Sequence, residues 1–117
     1  MGEEKTPCDL WVASAVVSGH VTNASGMALA DAEVELEFDR RGRCDGAEDW
    51  SHGNRVTTDA DGHYSAELGL GNSRGLRCVR VTEVASGTIS AGNEVEFVGG
   101  CEETRPPGKL TVNIVVP

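Results

Sequence analysis

Ala32-Glu33-Val34-Glu35-Leu36-Glu37-Phe38-Asp39 is the stretch on which the fold turns. Its side chains alternate without a fault: Val34, Leu36 and Phe38 point one way, and Glu33, Glu35, Glu37 and Asp39 the other. A period of two describes a strand with one dry face and one wet, acidic face. Such an acidic face usually does no more than meet solvent and discourage edge aggregation, the functional alternative being a basic partner. Working outward, Ala15 to Thr22 sets Val17, Gly19 and Val21 on one side before Asn23-Ala24-Ser25-Gly26 closes a turn. Arg55 to Asp59 and His63 to Leu70 flank Asp59-Ala60-Asp61-Gly62, whose glycine suits a positive φ, so these two runs are expected to form a hairpin. Leu76 to Ala85, broken by Ser86-Gly87, and Ile89 to Val98 follow. Beyond Pro106-Pro107, Lys109 to Val116 alternates through Leu110, Val112, Ile114 and Val116. About seven strands and no long helix predict a sandwich or barrel. Residues 40–54, rich in Gly, Asp, Arg and Ser around Cys44 and Trp50, read as the longest loop, a place for variation or binding.

The 117 residues suffice for one domain and one core. A formal charge of -9, from 19 acidic and 10 basic residues, argues against nucleic acid, which needs a Lys/Arg stripe to displace counterions. No apolar run approaches the roughly 20 residues of a membrane helix, and Met1 to Thr6 are polar rather than a signal-peptide core. The chain is either cytosolic or a mature form that has lost a leader, and the cysteines decide between these. Cys8, Cys44, Cys78 and Cys101 are widely spread, without a C-x-x-C pair or a close His, which disfavours zinc. An even count at wide spacing reads better as two disulfides and an extracytoplasmic setting, secreted, periplasmic or at the cell surface. Four buried thiols acting as small hydrophobes are the alternative.

Two blocks carry a resemblance. Val17-Ser18-Gly19-His20-Val21-Thr22-Asn23-Ala24-Ser25-Gly26-Met27-Ala28-Leu29-Ala30-Asp31-Ala32-Glu33-Val34 supplies a G-x-V strand, a turn ending in Gly and a small-residue-then-Val strand. Thr57-Thr58-Asp59-Ala60-Asp61-Gly62-His63-Tyr64 supplies T-x-D-x-x-G-x-Y. In order and spacing they resemble the carboxypeptidase regulatory-like domain, over roughly Ser14 to Val116. The resemblance implies a seven-stranded antiparallel Greek-key β-sandwich of the prealbumin (transthyretin) kind. It implies no chemistry, since that module usually accompanies a catalytic or membrane domain as a folding, spacing or interaction element. The residues fit that role: Gly62 serves the turn, and Tyr64 offers an apolar body and a hydroxyl for a backbone partner at the sandwich corner. Gly19, inside a strand, suggests close approach of another group, with Tyr64 or Trp11 as candidates.

The cysteines depart from the plain pattern of that family. Because successive antiparallel strands alternate in direction, every second loop lies at one end. Cys8, Cys44, Cys78 and Cys101 all fall at the same end, and the expected pairs are Cys44–Cys78 and Cys8–Cys101. Residues 1–12 then form an N-terminal segment tethered by Cys8, and residues 13–117 form the domain.

Candidate chemistry is sparse. Asp59-Ala60-Asp61-Gly62 resembles the start of a calcium loop but lacks the remaining ligands, including the distal Glu, so it reads as a turn. His20, His52 and His63 are scattered, and Ser51-His52 are sequence neighbours that point apart on an extended chain. Three chemistries of related sandwiches find no match. A transthyretin-like hydrolase would end in Tyr-Arg-Gly-Ser, whereas this chain ends Asn113-Ile114-Val115-Val116-Pro117. An intradiol dioxygenase-like iron site needs two Tyr, and only Tyr64 exists. An isopeptide-forming adhesin needs a core Lys early in the chain, and the only lysines are Lys5 and Lys109. No metal or cofactor is therefore expected, and no enzyme. The expected role is a non-catalytic structural or protein-interaction module. The alternative is a carbohydrate- or peptide-binding module using residues 40–54. Trp50, His52 and Asp49 are the candidate binding residues, with Trp50 either an exposed anchor or, as favoured, a cap over the bridged end. Phe38 and Phe97, on inward faces, are core.

Overall fold

The computed structural model describes residues 13–69, 75–99 and 106–117. Two sheets pack as a sandwich of four strands each, mostly antiparallel, with no helix among the described residues. The strands are β1 (Ser14–Asn23), β2 (Glu33–Asp39), β3 (Trp50–Thr57), β4 (His63–Gly69), β5 (Gly75–Glu83), β6 (Thr88–Phe97), β7 (Gly108–Thr111) and β8 (Ile114–Val116). The first sheet has β1 at its centre, with β4 on one side and β7 and β8 in succession on the other. The second runs β3-β2-β5-β6.

The alternation read in β2 holds: Val34, Leu36 and Phe38 are buried, facing Val17, Val21 and Leu68 in one core, where Phe38 and Phe97 meet at 5.3 Å between ring centroids. Burying such a side chain is worth about 1.5–3 kcal/mol.

Four expectations are corrected. The run 109–116 is two strands, because the chain steps aside at Val112-Asn113. There the Asn113 side-chain oxygen accepts the His20 N–H at 2.9 Å, standing in for a missing backbone carbonyl. The inward alternation survives the step, with Val112 and Ile114 buried. Second, β7 and β8 run parallel to β1, so the sheets are not wholly antiparallel. Third, β3 and β4 are not a hairpin: β3 pairs with β2 and β4 with β1, so residues 58–62 carry the chain from one sheet to the other. Fourth, the loop after β2 ends at Asp49, since 50–54 already belong to β3.

The two motif blocks close on each other around the chain's turns. Tyr64 is buried and its hydroxyl donates to the Val112 carbonyl at 2.6 Å, while burial pushes its phenol well above the usual range. Gly19, its register partner on β1, faces the same carbonyl, and a Cβ there would overlap the Val112 oxygen. The close approach expected at Gly19 is therefore to the Val112 backbone. Gly62 takes φ 77°, its carbonyl accepts the Val21 N–H at 2.8 Å, and Val21 in turn accepts Leu29 N–H. Thr58, also buried, donates its hydroxyl to the Leu29 carbonyl and accepts the Ala32 N–H, fastening the β1–β2 connection to the crossing.

Candidate functional site

The loop of residues 40–49 is organised by one carboxylate. Asp39 lies at the wet end of the alternation yet is 2% exposed, because the loop that follows it folds back over the outer face of the second sheet. One of its oxygens accepts the Arg41 and Gly42 N–H groups at 2.7 and 3.0 Å; the other accepts those of Glu48 and Asp49 at 2.8 and 3.0 Å. The Asp49 N–H, followed by those of Arg41, Gly42 and Glu48, holds the Asp39 carboxyl below the usual carboxylate range despite burial. Asp39 was expected on the solvated acidic face; it is instead the hub of the loop. A concavity of about 610 Å³ lies against residues 39–43 and 45–49.

Three links fix the loop to its sheet. Past Phe38, where β2 leaves the ladder, the Gly42 carbonyl takes the next N–H on β5, that of Cys78, at 2.9 Å. Cys44 forms the expected disulfide with Cys78. Glu94 on β6, the register partner of Cys78, accepts the Cys44 N–H at 2.8 Å and pairs with Arg43 at 3.1 Å. Those two contacts, the Cys44 N–H first, hold Glu94 below the usual range. A disulfide of this kind persists in oxidising compartments. The Cys8–Cys101 pair lies outside the described residues.

Beside the loop, the acidic stripe of β2 is interleaved with cations from its neighbours. Arg55 on β3 bridges Glu33 and Glu35, each at 3.2 Å, and His52 Nδ1 lies 3.4 Å from Glu35. The Arg55 hydrogen bond leads in holding Glu35 below the usual range. Arg80 on β5 binds Glu37 at 2.7 Å and lies over the Trp50 ring, 4.1 Å from its centroid. Trp50 is thus the first residue of β3, half-buried on the outer face with a guanidinium on it. Trp50 and His52 share this face. Asp49 sits in the loop, where its N–H goes to Asp39 and its carboxylate pairs with Arg40 and Arg41 at 3.4 and 3.6 Å. Ser51 and His52 fall on successive, opposite positions of β3, so they do not assemble a nucleophile and base. Sequence reasoning passed over Asp39, Arg80 and Glu94, which lie on three strands and meet only when the loop folds over them.

At the other end of the molecule, the turn 59–62 leaves Asp59, Asp61 and His63 exposed, with ligand atoms within 4.8 Å of one another. Asp59 accepts the N–H groups of Asp61 and His63 at 2.8 and 3.0 Å, and these, the His63 N–H first, hold its carboxyl low.

No family model matches the chain, and no curated protein does. Among solved structures, it is similar to a chlorocatechol 1,2-dioxygenase from Pseudomonas putida at 12% identity and a TM-score of 0.45, over 90% of this chain and 60% of that one. A likeness of that size assigns no family and no chemistry.

Proposed function

We propose that the chain is a non-catalytic interaction module of a secreted or cell-envelope protein, of the carboxypeptidase regulatory-like kind, and that it binds a protein or peptide through residues 40–49 and the outer face beside them. The observation that carries this reading is the Asp39 hub. Four backbone N–H groups and a disulfide rigidify a ten-residue loop that contributes nothing to the core. Loops held on a rigid scaffold are where sandwich domains place recognition, because a pre-ordered loop loses little entropy on binding. Arg40, Arg41 and Arg43 point outward from it, with side chains 59%, 85% and 67% exposed, so the loop offers charged contacts to a partner.

Sugar binding is the second reading, resting on Trp50. Arg80 already lies over that indole, so a sugar ring must displace it or use the other face, and this favours a peptide or protein. The test is site-specific photo-crosslinking in the native cell fraction from positions 41 and 45, with positions 67 and 109 on the other sheet as comparison. One partner captured from the loop alone, and lost in Arg41→Glu/Arg43→Glu, is the expected result. Equal capture from both sheets, or binding of a glycan that Trp50→Ala abolishes, overturns it.

A further inference from the structure

We propose that His20, His63 and Asp61, backed by Asp59, form a surface site for a divalent transition-metal ion such as zinc. His20 on β1 and His63 on β4 are direct register partners, and both leave the outer face of the first sheet because Gly19, Val21 and Tyr64 fill the inward positions. Their ring centroids lie 3.7 Å apart. Asp61 reaches the same spot from the turn that delivers His63, its ligand atom within 4.8 Å of those of His63 and Asp59.

What distinguishes this group from a scatter of exposed polar residues is that its backbone is fixed from both sides. Asp59 ties the N–H groups of Asp61 and His63, Gly62 N–H returns to the Asp59 carbonyl, and the Gly62 carbonyl is held by Val21. Asn113 fixes the N–H of His20. Meanwhile the two imidazoles and the Asp61 carboxylate make no hydrogen bond or ion pair among the described residues, and both imidazoles interact electrostatically with the Asp59 carboxylate beside them. Ser18, Thr22, Ser65 and Thr111, which flank the pair on that face, bring no competing cation.

The donor chemistry selects the ion. Zinc takes four nitrogen and oxygen ligands at roughly 2.0–2.2 Å; Asp59, Asp61 and His63, whose donors lie within 4.8 Å of one another, and His20, whose ring centroid is 3.7 Å from that of His63, reach those distances in the proposed site by side-chain rotation. Calcium needs about six to eight oxygens, more than two carboxylates provide, and it does not favour imidazole. The Asp59-Ala60-Asp61-Gly62 turn is then half of a site whose other half comes from β1.

The experiment uses the full chain, freed of metal with a chelator and titrated with zinc chloride by calorimetry and thermal melting, and with Co2+ followed by its visible absorption. Expected are one zinc per chain, a Tm that rises with free zinc, and at least a roughly tenfold loss of affinity in each of His20→Ala, His63→Ala and Asp61→Asn. Should His63→Ala fail to fold, the wild-type histidine NMR signals decide: paramagnetic Co2+ shifts those of His20 and His63 and spares that of His52. No Tm response to millimolar zinc, unchanged affinity in His20→Ala, or binding that follows His52 instead would each overturn the site.

Discussion

Replacing Asp39 by Asn keeps the shape of the side chain and removes one acceptor, which makes it a direct test of the loop hub. In the wild type each carboxylate oxygen takes two backbone N–H groups. In Asp39→Asn one oxygen becomes an NH2 that points at two donors. A hydrogen bond to a charged group is worth about 1.5–3 kcal/mol, so losing two costs about 3–6 kcal/mol before water reaches the freed amides. With the loop at the surface, a net cost of about 2–3 kcal/mol is expected, or roughly a 30- to 150-fold rise in local opening. Native-state hydrogen exchange read at Arg41, Gly42, Glu48 and Asp49 measures that rise directly. If the loop unfolds with the sandwich, Tm falls by about 8–12 °C as well.

The same substitution carries a pH signature. The folded Asp39 carboxyl titrates below its ordinary value of 3.8. Above that value Asp39 is ionised in both states, and its stabilisation is fully present; as pH falls from there through the depressed folded value, the unfolded chain takes up the proton first and the contribution disappears. The stability gap between wild type and Asp39→Asn should therefore be constant near neutrality and close as pH drops below about 4. Glu35, Asp59, Glu83 and Glu94 are also held low, so both proteins still lose stability in acid. A gap that stays constant down to pH 3, or four amides that exchange as in the wild type, would refute the hub.

Gly19→Ala should lose about 3 kcal/mol or fail to fold, because the Val112 carbonyl it would strike is also held by Tyr64 and has nowhere to go; denaturant unfolding measures it. Tyr64→Phe, which only strips the hydroxyl from that carbonyl, should cost about 1–2 kcal/mol in the same assay, with the fold intact by near-UV circular dichroism. Removing the Cys44–Cys78 bridge in a double Ser variant should cost about 4 kcal/mol for its separation of 34 residues and speed exchange at Gly42 and Asp45. Peptide mapping without reduction should recover Cys44 joined to Cys78 and, as expected from the sequence, Cys8 joined to Cys101.

How much of this was readable depended on whether the information is local. Val34, Leu36 and Phe38 declare their face by alternation, and Gly19 declares a close approach because a strand rarely tolerates a missing side chain without one. The Cys44–Cys78 pair followed from counting strand reversals, which survives the change of sheet because each crossing still reverses the chain. The turn 59–62 was recognisable, its partner strands were not: Asp and Gly encode a reversal, and whether the reversal returns to the same sheet or crosses to the other is set by which edges are already taken. Asp39 misled for a related reason. Alternation placed it correctly on the outer side of β2, but its burial comes from ten residues of loop that carry no periodic signal.

The family-like motifs and the proposed sites divide the molecule cleanly, and that division bears on where function sits. Gly19, Tyr64, Gly62 and Thr58 all spend their polar atoms on backbone partners inside the fold, so none has a donor or acceptor left for a ligand. The groups proposed to bind lie at two places on opposite sheets: the Asp39 loop over β2, β5 and β6, and the His20–His63 pair over β1 and β4. Each is anchored by backbone hydrogen bonds to a strand the core already holds, which lets its outward side chains keep a defined geometry while they themselves add little to folding. A substitution at Arg41, Arg43, His20 or Asp61 should therefore change what the module binds and leave its stability within about 0.5 kcal/mol, the range of an ordinary surface change. A larger loss at these four positions would mean that they belong to the scaffold after all, and the division between scaffold and site would have to be redrawn.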